Sequence, residues 1–305
     1  MKESSSYHFD EIFVVVPTRN RDMLLLNRSL PSIARQTLEP TKVIIVFDSD
    51  DDQINRELAT KIKKVLEPIP ILICSNERSP GAAGAWNTGF DKIMNESESK
   101  NPWVALLDDD DEWLENHLSA CVSAGRKQDV VISGLRLNLD GRVLDRELIK
   151  TANRADYYSG NPGWQGSNTF VRLASLLSVC GFDEQLVCTH DRDLAIRILD
   201  QPGITIAFTG EWTAIYHLER NRTSLTSHSY VKQIGLLQFY NKHYSNMTES
   251  ERAAFASRAH KLFGLNVDLL TLVDITEEPD CFKPMILPQP ISWVWTALKK
   301  AYRKI

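Results

Sequence analysis

The chain has 305 residues, of which 43% are hydrophobic and 25% are charged, and its formal net charge is −5. This balance is typical of a globular protein with a sizeable core. The negative charge argues against a nucleic-acid-binding surface as the main function. The five cysteines are scattered and include no C-x-x-C pair, which argues against a zinc site and a disulfide framework. Because no apolar stretch reaches signal-core or membrane-spanning length, we expect a cytoplasmic location.

The first 111 residues alternate short apolar runs with helical patterns. The runs predict buried strands at 12–17, 42–48, 69–74 and 103–107, and the intervening segments predict helices at 22–35, 52–66 and 81–95. This α/β alternation predicts a mostly parallel central sheet flanked by helices. Ligands of such sheets bind beyond the carboxyl ends of the strands, and polar residues follow the first, second and fourth of these strands.

After Val130 the pattern changes. A tight-turn signal at Asp140-Gly141 predicts a hairpin, and a loop rich in glycine and asparagine follows at 160–168. Residues 189–199 predict a helix. From about Tyr230 the chain is predicted to be helical, up to a proline-spaced linker at 284–290.

Four aspartates, Asp108 to Asp111, directly follow the fourth predicted strand. Capping of a following helix explains one or two of them, but adjacent carboxylates repel one another and four exceed that need. A hard divalent cation such as Mn²⁺ or Mg²⁺ prefers oxygen ligands and neutralises the repulsion. The run therefore predicts a metal-binding edge of the sheet, at which Asp111 is either a ligand or only a helix cap.

Four segments in this order resemble the inverting family 2 glycosyltransferases: VVVPTRNR at 14–21, SLPSIARQT at 29–37, VIIVFD at 43–48 and LDDDD at 107–111. The resemblance covers residues 12 to about 225. It implies the GT-A fold, a Rossmann-like nucleotide-binding half and an acceptor half. It also implies metal-assisted transfer of a hexosyl or N-acetylhexosaminyl group from a nucleotide diphosphate sugar, commonly a UDP-sugar. The acceptor would be a saccharide or lipid-linked saccharide hydroxyl, as in polysaccharide biosynthesis.

With this resemblance, the expected organisation is a glycosyltransferase domain over 1–228, with its nucleotide-sugar-binding half at 12–111 and its acceptor half at 112–228. A helical C-terminal region follows over 229–305. Residues 291–305 place apolar side chains on one helical face and basic ones around it. This terminal helix is predicted either to lie on the inner face of an anionic membrane or to pack on the domain or on a second subunit of a homo-oligomer.

The resemblance implies nucleotide contacts at strand ends and at the start of the helix at 81–95. The implied residues are Pro17, Thr18, Arg19, Asp48, Asp50, Gly84, Asn87, Asp108 and Asp109. For Asp50 a capped helix start is an equal alternative, and tight packing explains Gly84 equally well. The family's D-x-D motif falls on residues 108–110. It implies Asp110 as the main metal ligand, with Asp108 on the ribose or the metal and His217 as a further ligand; Asp111 is a candidate if the register shifts by one.

Residues 189–194 resemble the family motif that supplies the base for the acceptor hydroxyl. Asp191 stands at the position of the base, Asp193 follows at the expected spacing, and His190 replaces the usual glutamate. A carboxylate in a partly desolvated pocket can accept the proton. The alternative is that both aspartates only charge the start of a helix. The histidine keeps a catalytically silent saccharide- or nucleotide-binding module open as another function.

A sugar nucleotidyltransferase is a further alternative, but such an enzyme would carry a glycine-rich loop after the first strand, and residues 17–22 contain no glycine. The resemblance also implies donor or acceptor contacts in the loop before residue 169 and diphosphate contacts after His217. The first group is Trp164, Gln165, Ser167 and Asn168; the second is Arg220, Arg222 and Ser224. Trp164 either stacks on a sugar face or belongs to the core, and arginine forks suit phosphate.

Overall fold

The computed structural model describes residues 10–48, 52–218, 230–265 and 267. The predicted linker at 284–290 and the terminal helix at 291–305 lie outside these residues, as do Asp50, Arg220, Arg222 and Ser224. Within the described residues the sheet has nine strands, in the order β3-β2-β1-β4-β8-β6-β9-β5 with β7 paired to β6.

The strands are β1 (Ile12–Thr18), β2 (Lys42–Phe47), β3 (Ile71–Ser75), β4 (Trp103–Leu106), β5 (Glu112–Trp113), β6 (Val130–Leu139), β7 (Arg142–Asp145), β8 (Thr169–Arg172) and β9 (Ile206–Leu218). The α-helices are α1 (Asp22–Leu24), α2 (Leu30–Ala34), α3 (Asp52–Leu66), α4 (Ala82–Glu96), α5 (His117–Ala124), α6 (Arg154–Ser159), α7 (Leu173–Ser178), α8 (His190–Leu199), α9 (Tyr230–His243) and α10 (Glu249–Phe263). A π-helical turn, Leu25–Ser29, joins α1 to α2.

The first half of the sheet is parallel, and the predicted alternation of strands and helices is confirmed. β1 pairs in parallel with β2 and β4, and β2 pairs with β3. β1, β2 and β4 are buried on both faces, which explains why their sequences read as continuous apolar runs. α4 lies directly on β1, since a Cβ at Gly89 would come within 2.3 Å of Val15 Cγ1. The polar residues that follow β1, β2 and β4 therefore lie at one edge of the sheet.

The second half mixes strand directions. β8 runs antiparallel to both β4 and β6, and β6 runs parallel to β9. The predicted hairpin is present as β6 and β7, and its turn places Asp140 and Gly141 at positive φ. The alternative in which Asp111 caps a following helix is not met. Residues Glu112 and Trp113 instead pair with the end of β9, and α5 begins only at His117.

The helices after β9, α9 and α10, pack against each other and beside α6. α9 and α10 meet through Phe239 and Phe255, whose rings stack at a centroid distance of 6.0 Å. Thr248 and Glu251 form a capping box at the start of α10, and Gly264 ends this helix in a left-handed conformation. α10 also packs against α6. Together these helices complete one wall of the cavity described below.

Two further observations concern the chemistry of the chain as a whole. Cys74, Cys121 and Cys188 are free thiols. In the part of the chain that the structure describes, none of the helices is long and apolar enough to span a bilayer.

Candidate active site

A cavity of about 410 Å³ lies where the two halves of the sheet meet the C-terminal helices. Residues that follow β1 and β4 line it, together with residues of α8, α9 and α10. Its acidic residues are Asp108, Asp110 and Asp191, and its basic residues are Arg21, Arg192, Lys232 and Arg258. The cavity therefore contains both the acidic run and the 189–194 motif, which the sequence separates by about 80 residues.

The four aspartates of the run divide into two pairs. Asp109 and Asp111 do not line the cavity but hold the backbone in place. Asp109 accepts hydrogen bonds from Thr18 Oγ1 and Arg21 Nη1, each at 2.9 Å. Asp111 accepts from Ser167 Oγ at 2.6 Å and from the backbone N–H of His217 at 3.0 Å.

Asp108 and Asp110 are the members of the run that reach the cavity. This alternation fits the predicted D-x-D register on residues 108–110. The role of helix cap considered for Asp111 is wrong, because its carboxylate ties β4 to the 3₁₀ turn Gly166–Asn168 and to β9.

The site carries an excess of buried negative charge. Burial raises the pKa of Asp108 well above its ordinary value, and the nearby Asp110 and Asp191 raise it further. Burial also raises the pKa of Asp109 to about 6, although Arg21 opposes the rise. An unneutralised cluster of this kind is unfavourable in a low-dielectric site, so a bound cation would be stabilised there.

Arg21 is a site residue that sequence reasoning did not identify. Its Nη1 donates to Asp109 Oδ1 at 2.9 Å and to Asp110 Oδ2 at 3.0 Å. Burial alone would lower the pKa of Arg21, but the two carboxylates raise it. Arg28 adds a hydrogen bond of 2.7 Å to the Asp110 carbonyl. Both arginines follow β1, so the polar segment after that strand was the available signal.

Asp108 and Asp110 give this edge of the sheet two carboxylates, the kind of oxygen donor that a divalent cation prefers. Asp108, Asp110 and His217 line the same cavity, as the resemblance implied. His217 Nε2 is already engaged with Glu112 Oε1 at 3.0 Å. The described residues nevertheless contain no group of three or more acidic, histidine or cysteine side chains arranged as metal ligands. Two carboxylates and open positions are the donor set expected of a Mg²⁺ or Mn²⁺ that substrate phosphates complete.

Asp48 lies at the end of β2 and connects three strand ends. It accepts from Arg19 Nη1 at 2.9 Å, from Asn76 Nδ2 at 2.9 Å and from the backbone N–H of Gly81 at 3.0 Å. It does not line the cavity, and Pro17 is buried within β1. These expected nucleotide contacts therefore lie together on the β1–β3 side.

Gly84 and Asn87 hold α4 in position. A Cβ at Gly84 would lie 1.9 Å from the Ser79 carbonyl oxygen, so close packing requires the glycine. Asn87 is buried and donates to Phe182 O and Glu184 Oε1, both at 2.8 Å. Their contacts are with the protein, which agrees with the packing alternative stated for the glycine.

The 189–194 motif places its members in different surroundings. Asp191 lines the cavity; burial raises its pKa to about 6, while the Gly166 backbone N–H and Lys232 lower it. His190 also lines the cavity, and its Nε2 is engaged with the Leu186 carbonyl at 2.8 Å. Asp193 points away and is fully buried. It contacts Arg197, Lys242 and His243 at 2.7–2.9 Å.

Asp193 is therefore a link between α8 and α9 and does not reach the cavity, in contrast to the supporting role expected from the motif. Burial would raise its pKa, but the hydrogen bond from His243 and the charges of Arg197 and Lys242 hold it far below its ordinary value. A carboxylate this strongly paired is a poor proton acceptor.

The loop before β8 differs from the expectation at three positions. Trp164 is 1% exposed, donates to Thr169 Oγ1 at 2.9 Å and contacts Tyr157 edge to face, so it belongs to the core and presents no sugar platform. Ser167 and Asn168 are fully buried and brace the acidic run and the loop itself. Gln165 alone of the four expected residues lines the cavity.

The sequence matches a known protein family over more than half of its length. Residues 13–177, more than half of the chain, match the family described as Glycosyl transferase family 2. The chain is 33% identical over 108 residues to the succinoglycan biosynthesis protein ExoW of Rhizobium meliloti strain 1021, which covers 35% of this chain and 32% of that protein. It is 27% identical over 263 residues to a protein of Escherichia coli strain K12 that is named as a colanic acid biosynthesis glycosyl transferase, WcaA. This match covers 83% of this chain and 86% of that one.

Solved structures give the same fold. Staphylococcus aureus TarS 1–349 in complex with UDP-GlcNAc superposes with a TM-score of 0.57 at 17% identity, over 85% of this chain and 74% of that chain. The Pyrobaculum calidifontis mannosyltransferase PcManGT, solved with GDP-Man and Mn²⁺, gives a TM-score of 0.56 at 16% identity. This match covers 83% of this chain and 70% of that chain. The expected GT-A fold is confirmed.

Proposed function

The chain belongs to glycosyl transferase family 2, and from that premise we propose that it is an inverting enzyme. It would move a sugar from a UDP-sugar to a hydroxyl of a growing saccharide. The observation that carries the proposal is the single cavity that receives Asp108, Asp110 and Asp191 from two distant parts of the chain. UDP is favoured because TarS was solved with UDP-GlcNAc.

Asp191 is proposed as the general base. The acceptor oxygen forms a bond to the anomeric carbon, the bond from that carbon to the diphosphate breaks, and the acceptor proton passes to the Asp191 carboxylate. A single displacement of this kind inverts the anomeric centre. A pKa of about 6 suits the task, because the group is ionised at neutral pH yet basic enough to accept a proton.

Asp110, with Asp108 and His217, would hold Mn²⁺ or Mg²⁺, which supplies positive charge to the departing diphosphate. The Mn²⁺ in the mannosyltransferase structure supports metal use in this fold. Arg21 orients the Asp110 carboxylate, since it pairs with Asp109 and Asp110 at once.

The alternative of a silent binding module is less well supported. His190 uses Nε2 on a backbone carbonyl and packs edge to face on Phe182, so its imidazole forms part of the wall. The adjacent Asp191 keeps a raised pKa and a place in the cavity. Replacement of the usual glutamate therefore leaves the base available.

Calorimetric titration of UDP, with and without Mn²⁺, tests the donor site. We expect binding that strengthens when the metal is present; binding unaffected by the metal would contradict the metal-assisted site. Hydrolysis of UDP-GlcNAc or UDP-glucose by the native chain, lost in Asp191→Asn while UDP still binds, would establish catalysis. Equal turnover in both forms would reject Asp191 as the base.

A further inference from the structure

His217 is held at its backbone and at its ring by two neighbouring acidic residues. Its backbone N–H donates to Asp111 Oδ1 at 3.0 Å, and its ring Nε2 lies 3.0 Å from Glu112 Oε1. The side chain is 9% exposed and lines the cavity. The two contacts therefore fix both the position and the orientation of a histidine that a bound ligand can reach.

Glu112 does not line the cavity itself. It belongs to β5, and the pairing of this strand with β9 places Glu112 opposite Ile215, shortly before His217. Its carboxylate is 27% exposed, and its hydrogen-bond partner in the described part of the chain is the His217 ring. The contact with this ring is thus the direct route by which Glu112 can act on the site.

The Glu112 contact decides which ring nitrogen of His217 is available. A carboxylate oxygen accepts hydrogen bonds, so Nε2 carries the proton and donates it to Glu112. In the neutral imidazole, Nδ1 then keeps a lone pair. Among the residues that the structure describes, none is bonded to Nδ1. Nδ1 is therefore the nitrogen through which His217 can contact a ligand in the cavity.

Histidines that bind metals commonly donate their second ring N–H to a carboxylate, which fixes the tautomer and makes the ligating nitrogen more basic. We propose that Glu112 is a positioning residue of this kind. It holds His217 with Nδ1 as the ligating atom for the divalent cation that accompanies the nucleotide diphosphate. This inference rests on the proposed function, in which His217 joins Asp108 and Asp110 at that cation.

Electron paramagnetic resonance measures the binding of Mn²⁺ to the full chain, since the signal of free Mn²⁺ decreases when the ion is bound. With saturating UDP present, Glu112→Ala should raise the Mn²⁺ dissociation constant by about 10- to 100-fold, the range typical of losing a carboxylate behind a metal-bound histidine. Glu112→Gln keeps an oxygen that can accept the Nε2 proton, so its effect should be smaller. Glu115→Ala is the matched control, because it removes the same charge at an exposed position shortly afterwards in the chain.

A double-mutant cycle separates positioning of the ring from a direct effect of the Glu112 charge. If Glu112 acts through the ring, His217→Ala should itself raise the Mn²⁺ dissociation constant, and Glu112→Ala added to it should raise the constant no further. A charge that acts directly on the cation gives the same fold-change in both backgrounds, and that result would overturn the inference. Thermal unfolding of the metal-free proteins checks that each variant is folded; if Glu112→Ala is not, Glu112→Gln takes its place in the cycle.

Nitrogen-15 spectra of the imidazole rings in the metal-free chain give a measurement that needs neither metal nor activity. The His217 signal, identified by its absence in His217→Ala, should show the ring proton on Nε2; a proton on Nδ1 would overturn the inference. An Mn²⁺ dissociation constant unchanged in Glu112→Ala would also overturn it, while the proposed function would stand. Failure of the native chain to bind Mn²⁺ in the presence of UDP is a different result, since it contradicts metal assistance itself and this inference with it.

Discussion

Replacement of Asp191 by asparagine should stabilise the protein and abolish its activity at once. The side chain lines the cavity, and burial raises its pKa from the ordinary value of 3.8 to about 6. A raised carboxylate pKa means that the ionised form is disfavoured in the folded state. Asparagine has nearly the same shape and carries no charge, and it can still accept a hydrogen bond from the Gly166 N–H.

The size of this stabilisation follows from the difference in the pKa of Asp191 between the folded and unfolded states. A pKa of about 6 in place of 3.8 corresponds to about 3 kcal/mol against folding once the group is ionised. Because the side chain borders a solvent-filled cavity, we expect a gain of only about 1–2 kcal/mol for Asp191→Asn at pH 7. The free-energy cost of the Asp191 charge is absent at pH values below the unfolded-state pKa, and it is complete at pH values above the folded-state pKa. The stability difference between the two proteins should therefore grow as the pH rises from 3.8 to about 6.

Urea unfolding across this pH range measures the difference, and transfer or donor hydrolysis measures activity. Loss of a general base predicts a fall of about 10²- to 10⁴-fold in turnover. Native activity should rise with pH through about 6 and then level off. Asp156→Asn, at an exposed site on α6, is the control and should change neither quantity. A destabilised Asp191→Asn protein, or a native rate that is flat across pH 6, would refute the reasoning.

Three further predictions concern other parts of the site. Asp193→Asn should lower the free energy of unfolding by about 2–4 kcal/mol at pH 7, because the fully buried carboxylate that pairs with Arg197 and Lys242 is lost. Since the pKa of Asp193 is lowered, this loss should shrink as the pH falls below 3.8 in urea titrations. Gly84→Ala should cost about 1–3 kcal/mol in thermal unfolding, because its Cβ would meet Ser79 O at 1.9 Å. Asp110→Asn should remove the strengthening of UDP binding by Mn²⁺ that calorimetry detects in the native chain.

Each has a matched control. Asp145→Asn removes an ion pair whose carboxylate is 48% exposed, and it should change stability by less than about 1 kcal/mol. A Cβ at Gly160 meets nothing closer than 3.7 Å, so Gly160→Ala should be tolerated. Glu115→Gln, at an exposed position shortly after the acidic run, should leave the metal effect intact. Equal effects in variant and control would contradict the corresponding assignment.

The parallel half of the fold was predictable because each of its buried strands reads as an apolar run that ends in polar residues. The predicted helix at 52–66 coincides with α3, and the hairpin after Val130 follows from its Asp140-Gly141 turn. The short strand β5 was not predictable, because two residues carry no periodicity. It forms only because β9 offers a partner more than 100 residues later, at Ala214 and Ile215. That pairing explains why Asp111 does not cap a following helix.

The site residues also divide into those that the sequence predicted and those that it did not. Asp108, Asp110 and Asp191 were predictable because their motifs are local. Lys232 and Arg258 were not, since they lie in separate helices whose packing beside the cavity no local pattern records. Trp164 was ambiguous for a related reason: a tryptophan among glycines suits a loop platform. Its burial depends on the contact with Tyr157, which belongs to a different element.

In the acidic run, hydrogen-bond partners decide which of the four carboxylates face the cavity. Asp109 and Asp110 lie in a turn that the Asp111 N–H closes by donating to the Asp108 carbonyl at 3.3 Å, and of the four carboxylates only those of Asp108 and Asp110 line the cavity. The other two have partners elsewhere, and the chain supplies Thr18 and Arg21 for Asp109, and Ser167 with the His217 backbone for Asp111. These bonds connect β1, the 3₁₀ turn and β9 to the end of β4. The two remaining carboxylates are then oriented toward the cavity before any ligand binds, so the cost of ordering them is met during folding.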